Sequence, residues 1–316
     1  MISKKICLVL GSNSFSGACL VDYLLDNNFK VIGLYKTKKK KIFLKFIGNK
    51  NVKSYKSIKF DLNSKTKNLF KIVKKYKPNY IVDFASLCLV NESWENPKLY
   101  MQTNFTNKID FLKDVSNEKY LKKYIYISTP EVFGSSKKPQ SENSTIFSPS
   151  TPYAISKLAT ELYMKIINKN FNGKYIVARF SNFYGETQEK HRLLPKLFES
   201  IKLRKIFFLQ GNGLSKRNFI YDTDFCDGIL KIILNGKIDK NYHFCSNDIY
   251  SIVNIVKIVC KISKVSFTNL VKNTKDRIGK DQIYKLNCSK TKKELKWKPN
   301  VSLIQGIKKL KNYYLI

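Results

Sequence analysis

Short, mostly apolar runs recur through the first half of the chain, at residues 6–10, 30–35, 57–60, 80–84, 124–128 and 175–180. Between them lie segments with apolar residues three or four apart, at 17–28, 66–75, 97–115 and 152–171. Apolar runs of strand length, separated by amphipathic helices, predict parallel strands covered on both faces, hence an α/β, doubly wound parallel sheet. Beyond residue 180 the pattern loosens: Gly211-Asn-Gly213 reads as a turn, and shorter helices are expected at 194–203, 251–262 and 289–295. We assign 1–180 and 218–250 to the sheet domain, and 181–217 and 251–316 to a smaller C-terminal substrate-binding lobe sharing its cleft.

Composition changes this picture little. The chain has 316 residues, long enough for one large domain or two intimate ones, and 43% hydrophobic content suffices for a full core. Its seven Cys form no CxxC pair and it has two His, which points away from a disulfide framework or a zinc site and toward a reduced, cytoplasmic protein with no metal. The apolar run 6–10 is too short for a signal peptide, and no stretch has the length of a membrane span.

Charge is the unusual quantity. A formal net charge of +36 raises the question of nucleic acid. The lysines, however, are spread over the whole chain, and five basic residues are Arg: Arg179, Arg192, Arg204, Arg217 and Arg277. Readers of bases and phosphates favour the bidentate guanidinium, so the excess reads as a solvated surface and no nucleic-acid partner is expected.

Directly after the first run comes Gly11-Ser-Asn-Ser-Phe-Ser-Gly17, opening the first helical segment. A Rossmann-type sheet needs small residues here. Gly11 permits the tight turn, Ser14 leaves room for a pyrophosphate, and Gly17 allows close helix–strand packing. An ordinary Gly/Ser turn before a helix would look similar; the position after the strand favours a dinucleotide. The second run ends at Tyr35-Lys36 without a carboxylate for a ribose 2′-hydroxyl, which leans toward NADP over NAD. Asp61-Leu62, after the third run, is placed to hold an adenine.

Tyr153-Ala-Ile-Ser-Lys157 puts a phenol and an ammonium one helical turn apart on the same face. A neighbouring ammonium favours tyrosinate, so such a tyrosine suits proton transfer from an alcohol. Upstream, the fifth run ends in Ile127-Ser-Thr-Pro-Glu-Val-Phe-Gly134, at the crevice side of a parallel strand, which places Thr129 and Glu131 beside Tyr153. Glu131 read as a surface turn residue is the bland alternative.

With Arg179-Phe-Ser-Asn-Phe-Tyr-Gly185, Arg217-Asn-Phe-Ile-Tyr-Asp222, Asp276-Arg-Ile-Gly-Lys-Asp281 and Leu295-Lys-Trp297 in order behind them, these segments resemble the extended short-chain dehydrogenase/reductases. Within that family the chain is most similar to the nucleotide-sugar epimerase/dehydratase group, and there to 4,6-dehydratases of dTDP-glucose or GDP-mannose. The resemblance implies a tightly bound NAD(P) and an internal redox cycle on a nucleotide-diphosphate hexose. Tyr153, with Lys157 and Thr129, oxidises C4; Glu131 takes the C5 proton; water leaves C6, and the cofactor is regenerated. It adds Phe15, Ser16, Phe84 and Ala85 to the cofactor residues. It implies substrate contacts from Ser86, Asn182, Arg192, Leu193, Leu194, Arg217 and Arg277, with Arg179 structural, and a homodimer packed through 97–115 and 152–171.

Pro130 departs from the dTDP-glucose pattern, where an Asp protonates the leaving hydroxyl; Glu131 or a water must then serve. A Ser-Glu version of the motif also occurs in decarboxylases, so a 4-epimerase or a decarboxylase remains the rival within the family. A non-catalytic NAD(P)- or polyanion-binding protein is the rival from another class.

Overall fold

The six apolar runs become β1 (Ile6–Leu10), β2 (Lys30–Tyr35), β3 (Tyr55–Lys59), β4 (Tyr80–Asp83), β5 (Lys123–Ser128) and β6 (Tyr175–Phe180) in a computed structural model that describes residues 4–64, 67–276 and 281–315. They alternate with α1 (Phe15–Asp26), α2 (Lys67–Tyr76), α3 (Val90–Glu95), α4 (Pro97–Asn104), α5 (Ile109–Ser116) and α6 (Pro152–Asn170). After them come β7 (Asn182–Tyr184), α7 (Leu193–Lys202), β8 (Phe207–Gln210), β9 (Lys216–Arg217), β10 (Phe219–Tyr221), α8 (Asp222–Asn235) and β11 (Asn241–Phe244). The last elements are β12 (Tyr250–Ser251), α9 (Ile252–Ser263), α10 (Phe267–Leu270), β13 (Val271–Thr274), α11 (Ser289–Leu295) and α12 (Leu303–Leu315).

One sheet runs in the order β11-β6-β5-β4-β1-β2-β3, and its pairs are parallel. The order reverses between β1 and β4, where Leu10 pairs with Leu34 on one side and Asp83 on the other. The chain leaves these two strands in opposite directions, and a crevice opens above their carboxyl ends. Alternate residues of each strand feed two cores. Cys7, Val9, Val31 and Val82 pack with α1, α8 and Trp297; Leu8, Leu10, Ile32 and Ile81 pack with α2, α5 and α6. Each fully buried aliphatic side chain contributes roughly 1.5–3 kcal/mol. A third core joins Leu194, Phe198, Phe207, Phe219, Ile255 and Ile307 from α7, β8, β10, α9 and α12.

The structure corrects the expectation of one continuous helix over 97–115. The helix stops at Asn104; Phe105 takes φ −125°, ψ −68°, and a 3₁₀ turn, Thr106–Lys108, separates α4 from α5. The break turns Lys108 inward, where its ammonium lies 2.6 Å from Asp83 Oδ2. The Tyr124 hydroxyl donates to the same oxygen at 2.8 Å. A regular helix would have left a buried carboxylate without a countercharge, a larger cost than one interrupted turn. The second half also holds α8 and α12, which the loosened pattern did not reveal.

Arg179, on β6, is buried beneath the catalytic-type motifs. Its Nε donates to Glu161 Oε1 at 3.0 Å, its Nη2 pairs with Glu161 Oε2, and its plane lies 4.9 Å from the centre of the Phe133 ring. His243 Nε2 is 2.9 Å from Nη1. Burial and then the neighbouring guanidinium push the imidazole well below its usual value, so it accepts as a neutral ring. Glu161→Gln removes the countercharge of a buried guanidinium. We expect it to cost about 3–5 kcal/mol in urea unfolding; unchanged stability would show that the pair holds nothing in place.

Candidate active site

Gly17 sets how closely α1 can follow β1. A Cβ there would lie 2.2 Å from the Gly11 carbonyl oxygen, an overlap no rotation of a side chain relieves. Gly11 itself has φ +81°, and its Cβ would press on the Phe84–Ala85 backbone at 3.2–3.3 Å. Ser14 caps the helix: its hydroxyl donates to the Gly11 carbonyl at 2.7 Å and accepts the Gly17 N–H at 3.0 Å. No acidic residue occupies the first turn of α1, so its positive end stays available for an anion.

Two connected cavities open above this loop. The smaller, about 240 Å³, is lined by Gly11, Ser14, Tyr35, Lys36, Asp61, Leu62, Phe84 and Ala85 among others. At its rim Lys36 Nζ pairs with Asp61 Oδ2 at 3.0 Å. Burial raises the Asp61 carboxyl, but the Asn63 N–H and Lys36 outweigh it and hold it below the usual range. The larger cavity, about 590 Å³, shares Ser14, Phe84 and Ser86 with the smaller one and continues along Phe15 and Ser16. A glycine-and-serine cradle at a helix N-terminus, with a flat slot beyond it, fits a nicotinamide dinucleotide. Gly17 reaches neither cavity; its part is the close approach described above.

Thr129, Glu131, Tyr153 and Lys157 all line the larger cavity. Their convergence has a local cause. Thr129 caps the 3₁₀ turn Pro130–Phe133 by accepting the Glu131 N–H at 3.2 Å, which holds Glu131 in the turn directly after β5. Thr151 caps α6 by accepting the Ala154 N–H at 3.1 Å, with Pro152 in the first turn, so Tyr153 and Lys157 occupy the two turns nearest the crevice. Lys157 Nζ donates to the Ile127 carbonyl at 2.7 Å and to Ser86 Oγ at 2.9 Å, and sits 4.0 Å from the Tyr126 ring centre.

Burial governs the proton affinities here. It pushes the Tyr153 phenol well above its usual value, helped by the Glu131 charge and opposed by a hydrogen bond with Thr129. It pulls the Lys157 ammonium down to about 7, Lys108 adding to the effect and Asp83 opposing it. The depression of the tyrosine expected from Lys157 is not seen in this structure: burial dominates the phenol.

The far wall carries the other expected residues. Asn182 Oδ1 accepts the Tyr284 hydroxyl at 2.6 Å, and the Arg217 guanidinium stacks 4.1 Å from the Tyr284 ring centre. Arg217 donates to the carbonyls of Lys216, Asp281 and Gln282 at 2.8, 2.6 and 3.3 Å, which among the described residues leaves two of its five N–H groups for a ligand. Arg192, Leu193 and Leu194 line the same wall, with Arg192 Nη2 donating to Cys88 Sγ at 3.4 Å. Arg277 lies outside the described residues. Sequence reading missed Cys88, Tyr284 and the strip Phe207–Gln210, all of which line the cavity. Tyr284 stands three places after Asp281, the end of the Asp276–Asp281 segment; Cys88 and the strip carry no local signal.

Between pH about 7 and about 10 the unfolded chain binds the Lys157 proton more tightly than the folded one, so this group adds stability as pH rises through that window. The unfolding free energy of the wild type relative to Lys157→Met should climb across it; a flat difference would refute the burial argument.

Residues 8–310 match the family model described as GDP-mannose 4,6 dehydratase. The dTDP-glucose 4,6-dehydratase of Haemophilus influenzae is 26% identical over 332 residues, covering 98% of this chain and 97% of its own. The human dTDP-D-glucose 4,6-dehydratase is 27% identical, covering 98% and 90%. Among solved structures, DesIV, a dTDP-glucose 4,6-dehydratase from Streptomyces venezuelae with NAD and TYD bound, superposes with a TM-score of 0.90 at 22% identity, covering 98% and 97%. UDP-glucuronic acid 4-epimerase from Bacillus cereus, in complex with UDP-glucuronic acid and NAD, gives 0.87 at 24% identity, covering 98% and 99%. With the crevice, the cradle and the Tyr-Lys helix already in place, the chain belongs to the GDP-mannose 4,6-dehydratase family, within the extended short-chain dehydrogenase/reductases.

Proposed function

We propose that the protein is a nucleotide-sugar 4,6-dehydratase, converting a nucleotide-diphosphate hexose to its 4-keto-6-deoxy product. The observation that carries this is the meeting of Thr129, Glu131, Tyr153 and Lys157 in one cavity continuous with the dinucleotide cradle. Bound oxidised nicotinamide supplies a reversible two-electron acceptor there. Thr129 orients the C4 hydroxyl and Tyr153 takes its proton, while Lys157, held by Ser86 and the Ile127 carbonyl, favours the tyrosinate when charged. The C4 ketone acidifies C5–H, and Glu131 removes that proton. Because Pro130 has no proton to give, Glu131 returns it to the departing C6 hydroxyl, which leaves as water; the hydride taken from C4 would then return to C6 of the resulting enone and a proton to C5, which gives the 4-keto-6-deoxy product. Arg217, Arg192 and Asn182 hold the diphosphate, and Leu193 and Leu194 flank the nucleotide.

The finer readings follow from the same walls. We infer NADP as the resident cofactor, because β2 ends in Tyr35-Lys36 with no carboxylate of its own for a ribose 2′-hydroxyl. A homodimer is supported by an apolar stripe on α6, where Ile155, Leu162 and Ile166 are 47%, 44% and 53% exposed, beside Leu99 on α4. The seven free thiols fit a reducing cytoplasm; among the described residues no helix is long and apolar enough to cross a membrane.

Incubation with GDP-, dTDP-, CDP- and UDP-hexoses, read by mass spectrometry, should show loss of one water from one of them. Isomerisation or loss of carbon dioxide instead would make the protein an epimerase or a decarboxylase. Glu131→Gln should retain cofactor and slow C4 oxidation while water loss falls about 10²–10⁴-fold; wild-type turnover would remove Glu131 from its role. The mass of the dinucleotide released by acid separates NADP from NAD.

A further inference from the structure

An ion pair that the chemistry above does not use joins the linings of the two cavities. Lys39, which lines the smaller cavity, places its Nζ 2.7 Å from Oε1 of Glu189, which lines the larger. The residues are 150 positions apart in sequence. Each side chain is 29% exposed, so the pair is shielded more than an ordinary surface bridge. Burial raises the Glu189 carboxyl, but the hydrogen bond and charge of Lys39 outweigh it and keep it below the usual range, ionised at neutral pH.

Both partners are carried on anchored segments. The turn holding Lys39 is tied to the dinucleotide loop, where Asn13 Nδ2 donates to the Thr37 carbonyl at 3.2 Å. The segment holding Glu189 leads into α7, its carbonyl accepting the Arg192 N–H at 3.0 Å. The cavities meet along Ser14, Phe84 and Ser86. The Lys39–Glu189 contact therefore links the two linings where the cavities run together.

We propose that Lys39 and Glu189 form a latch across the groove that retains the dinucleotide between turnovers. The proposal rests on the reading that this groove holds a nicotinamide dinucleotide. A cofactor restored at the end of every cycle has no need to leave, and an elongated ligand lying under a strap cannot depart without breaking it. Rupture of a half-shielded pair then enters the barrier to release rather than the chemistry. Lys39 and Glu189 act as positioning residues through the two walls.

The test is the release rate of NADPH, and separately NADH, from the full-length protein, followed by loss of bound-state fluorescence on mixing with excess oxidised dinucleotide. Glu189→Gln and Lys39→Gln should each speed release by about 3- to 10-fold, and Lys39→Glu combined with Glu189→Lys should return it to within about 2-fold of wild type. Raised salt should speed release from wild type more than from Glu189→Gln. Unchanged release from Glu189→Gln overturns the latch. So does slower release from Glu189→Gln beside faster release from Lys39→Gln, which would make Lys39 a direct phosphate ligand freed by loss of its competitor. Failure of the wild type to bind either nucleotide overturns the dinucleotide reading itself, and the latch with it. Thermal midpoints of all three variants, measured alongside, separate a release effect from loss of fold.

Discussion

A single van der Waals constraint underlies the site: α1 begins so close to β1 that residue 17 has no room for a side chain. That closeness brings the helix N-terminus over the carboxyl end of β1, at the point where the strand order turns around. The cradle, the slot beyond it and the approach of β4 through Phe84 and Ala85 all follow from that one contact. Ser14 is the adaptation that completes it, since one hydroxyl satisfies both the loop carbonyl and the helix amide.

Charge is handled in two ways in this chain. Over the surface, lysine serves as a solvated cation and adds little. Inside, the cations are individually matched: Lys108 to Asp83, Arg179 to Glu161, Lys45 to Asp222. Arg217 rests on backbone carbonyls instead, and Lys157 departs from the pattern further. It is buried on hydrogen bonds to a hydroxyl and a carbonyl, without a direct carboxylate, and its proton is held less firmly for that reason. A lysine whose proton is readily lost sits where the proposed chemistry needs a group that responds to the charge of what binds beside it.

The sheet and the residues that meet in the larger cavity, Thr129, Glu131, Tyr153 and Lys157, were legible in the sequence because their signals are local. Strand runs of one hydrophobic character, a glycine-rich loop directly after the first, and a Tyr-Lys pair at helical spacing are each contained in a few residues. The break at Phe105 was not legible, because its cause is a carboxylate on β4 more than twenty residues earlier. The same holds for Tyr284, which meets Asn182 and Arg217 on one wall only in the folded chain, and for Cys88, which meets Arg192 in the same way. Arg179 shows the converse: its place in a family motif was visible, but Glu161, Phe133 and His243 as its partners were not.

The interleaving of the two cores has a kinetic consequence. The third core draws on β7 to β10, then on α9, and then on α12, while between them the chain returns to the main sheet to lay β11 beside β6. Leu295 and Trp297 go back once more to pack in the first core. Neither core is complete until distant stretches of chain have met, so each closure requires a large loop entropy before the contacts that reward it exist. Synthesis of the polypeptide thus runs well ahead of its assembly, and a partly made chain exposes apolar strands for which the growing lysine-rich surface is the main protection against self-association.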